Sequence, residues 1–333
     1  MPQLESSHAV FRERLPTIMG LLAFVFVMSL LGACASDPEP EPPGPDTPTV
    51  MEDSASDTAP ADEDVVPSGE DAFEPGDMAS PEDVGEGLPG GPSSERHSLW
   101  PLGTKYASQG FWEYLPAAYG TGETWPLLVF FHGKGENGDG SEGDLAKLLK
   151  SGPPSYVSKN LWPLVESAAG DAFVVLSVQN SQDGCHRAED IDAFIRWASK
   201  EYDVDTTRIY LTGLSCGARG VWNYLKSYLD DDVVAAVVPI AGNGEDTWEQ
   251  RKCSLGAMPI WAFHGDADQV MNVNGTLVPM DGLAGCTDPA PVDAIKTIYE
   301  GVGHNSWTQT YSLTSGHDIY DWLLTHVNTD ASR

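Results

Sequence analysis

A serine set between two glycines is the residue of this sequence best placed to do chemistry. It lies in the stretch GLSCG at 213–217, after an apolar run at 208–212 and before a helical pattern. In a tight turn from strand to helix, small neighbours let the backbone approach itself and lift the hydroxyl clear of the sheet. The start of the helix also favours developing negative charge. Such a motif also occurs by chance in turns that carry a surface serine, but its context here favours a nucleophile at Ser215.

Two later segments offer the partners that such a nucleophile needs. A serine hydroxyl is a weak nucleophile until a base takes its proton, and the base needs an orienting acid. The apolar run at 259–263 is followed by Asp266 and Asp268, and the run at 295–299 is followed by His304. Each polar residue would lie just beyond a strand, on the same rim of the sheet as the serine. The order serine, acid, histidine fits a catalytic triad, and the acid stays open between the two aspartates.

Apolar runs alternate with helical patterns from about residue 105 onward and predict the elements that position these residues. The runs are mostly continuous, as expected where helices cover both faces of a sheet. They predict strands at 127–131, 173–178, 209–212, 233–240, 260–263 and 295–299, an antiparallel edge strand at 110–116, and helices around 188–198, 221–229 and 319–327. The predicted fold class is α/β, with a doubly wound, mostly parallel sheet whose active site lies at the carboxyl ends of the strands.

The stretch from about 105 to 328 resembles the α/β-hydrolase superfamily. Within it, the sequence is similar to polyhydroxybutyrate-depolymerase, feruloyl-esterase and carboxylesterase-like enzymes, including a group described as predicted peptidases. The motifs that carry this resemblance are FHGKGENG at 131–138, the serine motif, HGDAD at 264–268 and GHNSW at 303–307. In the related enzymes the acid is the second aspartate of the HGxxD pattern. The resemblance therefore implies Ser215, Asp268 and His304 as catalytic residues, with Asp266 as the alternative acid.

An oxyanion hole is expected beside the nucleophile, because tetrahedral intermediates need backbone donors aimed at the developing oxyanion. One expected donor is the N–H of Cys216, the residue after the nucleophile. By resemblance, the other is the N–H of Lys134, in the glycine-rich loop after the strand at 127–131. The side chain of Lys134 is more simply read as a solvated surface lysine. Trp307, three residues past the histidine, is a candidate for lining the substrate cleft.

The first 34 residues have the pattern of an export segment. Arg12 and Arg14 precede an apolar run at 18–31, which is shorter than the ~20 residues that a transmembrane helix needs. The run ends in LGAC, which resembles the bacterial lipobox, whose cysteine is acylated and becomes the new N-terminus. This predicts a lipoprotein signal peptide at 1–34 with lipidation at Cys34, against ordinary secretion or an uncleaved anchor. Ala35, rather than an aspartate, favours attachment at an outer membrane or the cell surface.

Residues 35–95 have the composition of a disordered segment. They contain 18 Asp or Glu, no Lys or Arg, and 12 of the chain's 25 prolines, so they cannot bury enough apolar surface to offset the cost of ordering. We expect either a self-repelling, extended tether or a solvated tail without a partner. The catalytic domain is then predicted at 96–333.

Charge limits the partners that this domain can bind. The chain has a net charge of −32, of which residues 35–95 carry −18 and residues 1–34 carry zero, so −14 remains for 96–333. Because nothing basic is available to neutralise phosphates, no nucleic acid partner is predicted. Membrane contact is expected through the lipid anchor only. The sequence has no His-Glu-x-x-His pair and no cysteine pair at zinc spacing, so neither a metal nor another cofactor is predicted.

Four cysteines remain besides Cys34, and an exported chain meets oxidising conditions. Four cysteines allow three pairings. We favour the pair Cys253–Cys286, which would close a loop-rich region, and then the pair Cys185–Cys216. Free buried thiols are the alternative.

The spacing of the last predicted strands bears on the substrate. The segments 241–258 and 271–294 are too short for a large helical lid, so we expect an open cleft. Together with the resemblance, this predicts a secreted serine hydrolase of carboxylic esters that works through an acyl-enzyme. An open site suits acylated polysaccharides, aromatic esters or polyesters better than interfacial lipolysis, and short-chain esters also belong to the predicted substrate range. A serine peptidase of the same fold and a non-catalytic, glycan-binding lipoprotein are the alternatives.

Overall fold

A computed structural model of the chain describes residues 91–181 and 183–328. The predicted signal peptide with its lipidation site at Cys34 lies outside the described residues, as does the predicted tether up to residue 90. Within the described residues, no helix is long and apolar enough to cross a membrane.

The centre of the described domain is a sheet of eight strands in the order β1-β2-β4-β3-β5-β6-β7-β8. The strands from β3 to β8 run parallel to one another, whereas β2 pairs antiparallel with both β1 and β4. The strands are β1 (His97–Trp100), β2 (Phe111–Tyr114), β3 (Trp125–Phe131), β4 (Val174–Val178), β5 (Val204–Leu214), β6 (Ala236–Ile240), β7 (Ile260–Gly265) and β8 (Ala294–Tyr299).

Helices cover both faces of this sheet. They are α1 (Glu142–Leu145), α2 (Gly152–Ser158), α3 (Ala188–Glu201), α4 (Cys216–Tyr228), α5 (Glu245–Arg251), α6 (Asn274–Ala284), α7 (Trp307–Tyr311) and α8 (Ile319–Leu324). Alternate residues of each strand face opposite sides, so Val129 of β3 packs into a core with α3 and α4, while Phe130 packs into a second core with α2, α7 and α8. The predicted α/β class, with its doubly wound and mostly parallel sheet, is confirmed.

Two boundaries differ from those expected from the sequence. The segment 110–116 was expected at the edge of the sheet, but β1 pairs outside β2 and takes the edge instead. The predicted tether reached residue 95, yet Ser93–Arg96 form a 3-10 turn, and the buried Ser93 hydroxyl donates to the carbonyl of Val157. The folded domain therefore begins a few residues earlier than its composition indicates.

The connections near the carboxyl edge are short, as predicted. Between β6 and β7 the chain forms α5 and a 3-10 segment, Lys252–Ala257, and between β7 and β8 it forms α6. In the described part of the chain, the longest helix in these two connections is α6, with 11 residues, and the expectation of a fold without a large lid is confirmed.

Candidate active site

Ser215 lies in the turn between β5 and α4, and its backbone is held in an unusual conformation. Its φ is 51° and its ψ is −115°, a region that residues other than glycine rarely adopt. Its N–H donates to the carbonyl of Ile240 over 2.9 Å. A Cβ atom at Gly217 would lie 2.0 Å from the carbonyl oxygen of Phe131, and one at Gly213 would lie 2.7 Å from the carbonyl carbon of Gly217. Gly217 is therefore needed for the turn to pack against β3, and Gly213 is needed for the backbone of the turn to approach itself.

The side chains of Ser215, His304 and Asp268 meet in one chain of hydrogen bonds at the carboxyl edge. The Ser215 hydroxyl lies 2.9 Å from Nε2 of His304, and Nδ1 of the same ring lies 2.7 Å from Oδ2 of Asp268. With Nδ1 protonated, the imidazole donates to the carboxylate and accepts from the hydroxyl. The three residues follow β5, β8 and β7, so the parallel strands bring together side chains that are 53 and 89 positions from the serine. This geometry allows proton transfer from the serine to the imidazole.

The carboxylate of Asp268 is buried and well supplied with donors. Its Oδ1 accepts from the N–H groups of Val270 and Met271 at 2.8 and 2.9 Å, and its Oδ2 lies 3.1 Å from Nε2 of His264. Burial raises the pKa of Asp268, but the hydrogen bonds from His304 and from the two backbone groups outweigh it, so the pKa lies below the usual value. Asp268 is therefore held as an anion.

The contact of His264 with this carboxylate was not predicted, although the residue belongs to the HGDAD motif. Its Nδ1 lies 2.9 Å from the hydroxyl of Thr276, and its Nε2 lies 2.9 Å from the carbonyl of Met271 as well as close to Asp268. Nε2 is thus the protonated nitrogen. Burial lowers the pKa of His264, which keeps the ring neutral beside the anion. Its position four residues before the aspartate, at the end of a strand, was the signal for this contact.

Asp266, the alternative acid, has a different partner. Its Oδ1 accepts from the N–H of Gly301 at 2.7 Å, and the residue is exposed. This bond ties the loop after β7 to the loop after β8. The structure thus brings Asp268, and not Asp266, to His304.

The two expected oxyanion donors both begin helical segments. Lys134 is the first residue of a 3-10 helix, Lys134–Glu136, and Cys216 is the first residue of α4. Backbone N–H groups at such positions have no acceptor within their own helix. A Cβ atom at Gly133 would lie 3.7 Å from the Cβ of Ser215, so the loop after β3 passes beside Ser215.

His132 fixes the peptide that precedes the Lys134 N–H. Its Nδ1 lies 2.5 Å from the carbonyl oxygen of Gly133, and its Nε2 accepts from the N–H of Asn180 at 2.9 Å. Because the C=O and N–H of one planar trans peptide point in opposite directions, the Lys134 N–H points away from the His132 ring. Burial lowers the pKa of His132 to about 4, so the ring is neutral and donates from Nδ1.

Two disulfides are present, with the pairings favoured from the sequence. One joins Cys253 to Cys286, and the other joins Cys185 to Cys216. The second disulfide links Cys216, the residue next to Ser215, to the loop before α3. It therefore fastens the start of α4 to a neighbouring segment at the edge where the site lies.

An open groove of about 810 Å³ leads away from Ser215. Its walls come from the loop after β3, the segment before α3, one face of α4 and the loop that follows Asp268. Trp307 is not among the residues that line it; its indole packs edge-on against the His304 ring, with ring centroids 5.1 Å apart. Its proposed contact with substrate stays a prediction.

Comparison with known proteins agrees with this architecture. Neither a scan against protein-family models nor a sequence search of curated proteins found a match. Among solved structures, the chain is similar to a thermostable esterase, with 23% identity and a TM-score of 0.52 over 70% of this chain and 64% of that one. It is also similar to a mutant feruloyl esterase module from Clostridium thermocellum, complexed with sinapinate, with 15% identity and a TM-score of 0.51 over 74% of this chain and 92% of that one.

A further similarity is to dipeptidyl peptidase 4 of Porphyromonas gingivalis, with 13% identity and a TM-score of 0.48 over 69% of this chain and 35% of that one. The chain therefore spans less than two thirds of the length of the thermostable esterase and about a third of the peptidase. Together with the sheet order, the two esterase structures show that this domain has the α/β-hydrolase fold.

Proposed function

We propose that this protein is a serine hydrolase of carboxylic esters. The observation that carries the proposal is the unbroken hydrogen-bond chain from the Ser215 hydroxyl through His304 to Asp268. The proposal includes the roles of these residues, and it includes the N–H groups of Lys134 and Cys216 as the oxyanion hole.

The proposed reaction has two steps. His304 takes the proton from Oγ of Ser215 while that oxygen attacks the carbonyl carbon of the ester, and the N–H groups of Lys134 and Cys216 donate to the resulting oxyanion. The carbonyl re-forms as the C–O bond to the alcohol breaks, and the imidazolium gives its proton to that alcohol. In the second step, His304 takes a proton from water, the hydroxide attacks the acyl-enzyme, and the acid leaves as Ser215 regains its proton.

The surroundings of the imidazole support these roles. The buried anion at Asp268 stabilises the positive charge that His304 acquires in both steps and holds Nε2 toward the serine. The described residues form no large lid over the groove, so a bulky or polymeric ester can approach Ser215 from solvent. Acylated polysaccharides, aromatic esters and short-chain esters are the proposed substrate range.

We also propose that the protein is exported and anchored to the bacterial cell envelope through acylated Cys34, at an outer membrane or the cell surface. The two disulfides support export, since such bonds persist outside the reducing cytosol. Incorporation of labelled palmitate into the chain, and its loss in Cys34→Ala, is the expected result. Equal labelling of the variant would contradict the anchor without touching the proposed chemistry.

Substitution of the nucleophile tests the activity. Ser215→Ala in the full-length chain should reduce p-nitrophenyl acetate turnover by about 10⁴-fold or more, because no other group can form the acyl-enzyme. The variant should also lose labelling by a fluorophosphonate probe. Ser254→Ala is the matched control, since Ser254 is exposed and its hydroxyl donates only to the nearby carbonyl of Arg251.

The outcomes separate the candidate functions. Wild-type turnover in Ser215→Ala would exclude this nucleophile. Faster cleavage of peptide p-nitroanilides than of matched esters would identify a peptidase. Absence of fluorophosphonate labelling in the wild type would instead favour a glycan-binding protein without catalysis.

A further inference from the structure

The groove beside Ser215 is positively charged, although the chain as a whole is strongly acidic. Four cationic residues line it, namely Lys134, Arg187, Arg219 and Lys226, and Glu189 is the carboxylate among the groove-lining residues. The domain from 96 to 333 carries a net charge of −14. Charge of the opposite sign is therefore concentrated on the surface that a substrate of Ser215 would meet.

Most of this positive charge is available to a ligand. Arg187 is paired with Asp190 and Glu189 through its guanidinium. In contrast, Lys134, Arg219 and Lys226 form no ion pair with any carboxylate of the described residues. The first two are exposed and Lys226 is half-buried. If these three cations served only to stabilise the fold, they would be expected to pair with carboxylates of the domain.

Two of the three unpaired cations lie along α4, at increasing distances from Ser215. Arg219, Asn223 and Lys226 are spaced by four and three residues along α4, so they lie on one face of that helix. With a rise of about 1.5 Å per residue, Arg219 lies about 6 Å and Lys226 about 16 Å along the axis from Ser215. Lys134 lies in the loop after β3, which passes beside Ser215. A single small anion cannot reach all three cations.

Resting on the function proposed above, we propose that the substrate is an O-acylated acidic polysaccharide. Its sugar carboxylates contact Lys134, Arg219 and Lys226 while one of its esters lies at Ser215. An extended chain with intermittent carboxylates matches cations that are spread over about 16 Å. Double-stranded nucleic acid, with one charge per about 1.7 Å, is a poor match, because a domain of net charge −14 repels so dense a polyanion beyond the groove.

The test compares two polymers that differ in charge alone. The full-length protein is given an O-acetylated polyuronate and a neutral O-acetylated glucan of equal length and acetyl content, and acetate release is measured at low and high salt. Each exposed ion pair contributes a factor of up to about five. The kcat/KM for the polyuronate should therefore exceed that for the glucan by about tenfold at 20 mM NaCl, and the preference should vanish near 1 M NaCl, where the Debye length is about 3 Å.

Variants assign the preference to the groove. Arg219→Gln with Lys226→Gln should lower the polyuronate-to-glucan ratio to near one, mainly through KM, and should affect the polyuronate more than uncharged p-nitrophenyl acetate. Lys159→Gln is the matched control, because Lys159 is an exposed lysine outside the groove, and it should keep the full preference. If the double variant fails to fold, the salt dependence of the wild type and the single variant Lys134→Gln decide.

Equal kcat/KM for the two polymers at low salt, or an unchanged ratio in the groove variants, would overturn the inference while leaving the esterase proposal intact. Absence of turnover on both polymers and on p-nitrophenyl acetate would overturn the esterase proposal itself.

Discussion

One side of the site, at the ends of β3 and β5, carries the proposed nucleophile Ser215 and is called the nucleophile side. There, close backbone packing sets the position of Ser215. The last six residues of β5 and all but the first of β3 are buried, and Gly217 approaches the carbonyl of Phe131 so closely that no Cβ fits. On the base side, no residue of β8 is fully buried, and the His304 side chain remains 19% exposed. Its position is set by hydrogen bonds to Asp268 and Ser215 and by the edge-on contact with Trp307, and not by close backbone packing.

The base side itself contains both closely packed and open backbone. Gly265, at the end of β7, approaches the carbonyl of Val302 as closely as the glycines of the serine turn approach their neighbours, but Gly303 faces open space. The backbone is thus closely packed up to Val302, and it is open in the loop that carries His304 (the histidine loop). A substitution that adds a Cβ atom to the closely packed glycines of the serine turn should therefore reduce folding stability. A substitution in the hydrogen-bonded pair of Asp268 and His304 should instead reduce turnover.

Among the substitutions that separate the two sides, the largest expected effect belongs to the base side. Asp268→Asn should lower kcat for p-nitrophenyl acetate by about 10⁴-fold. The reason is that the amide carries no charge to stabilise the imidazolium and can favour the wrong tautomer of His304. Steady-state kinetics, with circular dichroism to verify folding, would measure the change.

Asp266→Asn is the matched control for this substitution. An asparagine oxygen can still accept from the N–H of Gly301, as Asp266 does, so kcat should stay within about twofold of the wild type. A large loss of kcat in Asp266→Asn together with a small loss in Asp268→Asn would show that Asp266, and not Asp268, is the acid.

The next largest expected effect is a loss of folding stability on the nucleophile side. Gly217→Ala would place a Cβ atom 2.0 Å from the carbonyl oxygen of Phe131, and this clash with backbone should lower the free energy of unfolding by about 3 kcal/mol. Gly303→Ala, on the open loop, should change it by less than about 0.5 kcal/mol. Denaturant unfolding of both variants checks the contrast, and equal losses would show that the two sides are packed alike.

Much of this architecture could be predicted because continuous apolar runs mark buried parallel strands. The runs at 127–131 and 260–263 fall inside β3 and β7. The missed strand β1 has four residues directly after an acidic, proline-rich segment, which is too short for any periodicity to be visible. Its absence from the prediction also made β2 look like an edge.

The candidate site could be predicted to the extent that motifs follow strand ends. Ser215, Asp268 and His304 each lie just past a strand, so the parallel sheet alone brings them to one edge. The sequence places His132 and His264 in loop motifs, and His264 four residues before Asp268, but it does not determine which ring nitrogen faces which loop. The positive groove was hidden for another reason: its cations are scattered over 134–226 in a chain whose overall charge is negative.

The last expected effect concerns how the free energy of unfolding depends on pH. Burial of His132 lowers its pKa from 6.5 to about 4, so between these values the unfolded chain binds a proton that the folded chain does not. The free energy of unfolding therefore falls as the pH drops from 6.5 toward 4, and this residue contributes up to about 3 kcal/mol of the loss. His186, whose ring lies 4.7 Å from that of His132, is fully buried, and its lowered pKa acts in the same direction.

Comparing wild type with His132→Asn isolates the contribution of His132, because His186 remains in both chains. Asparagine removes the titrating group but can still donate to the carbonyl of Gly133, so the loop after β3 keeps a partner. Denaturant unfolding at pH 7 and pH 4.5 should show a loss on acidification that is smaller in the variant, by about 2 to 3 kcal/mol. Parallel losses in the two proteins would mean that the His132 ring is hydrated in the folded state, and the nucleophile side would then be no more tightly closed than the histidine loop opposite it.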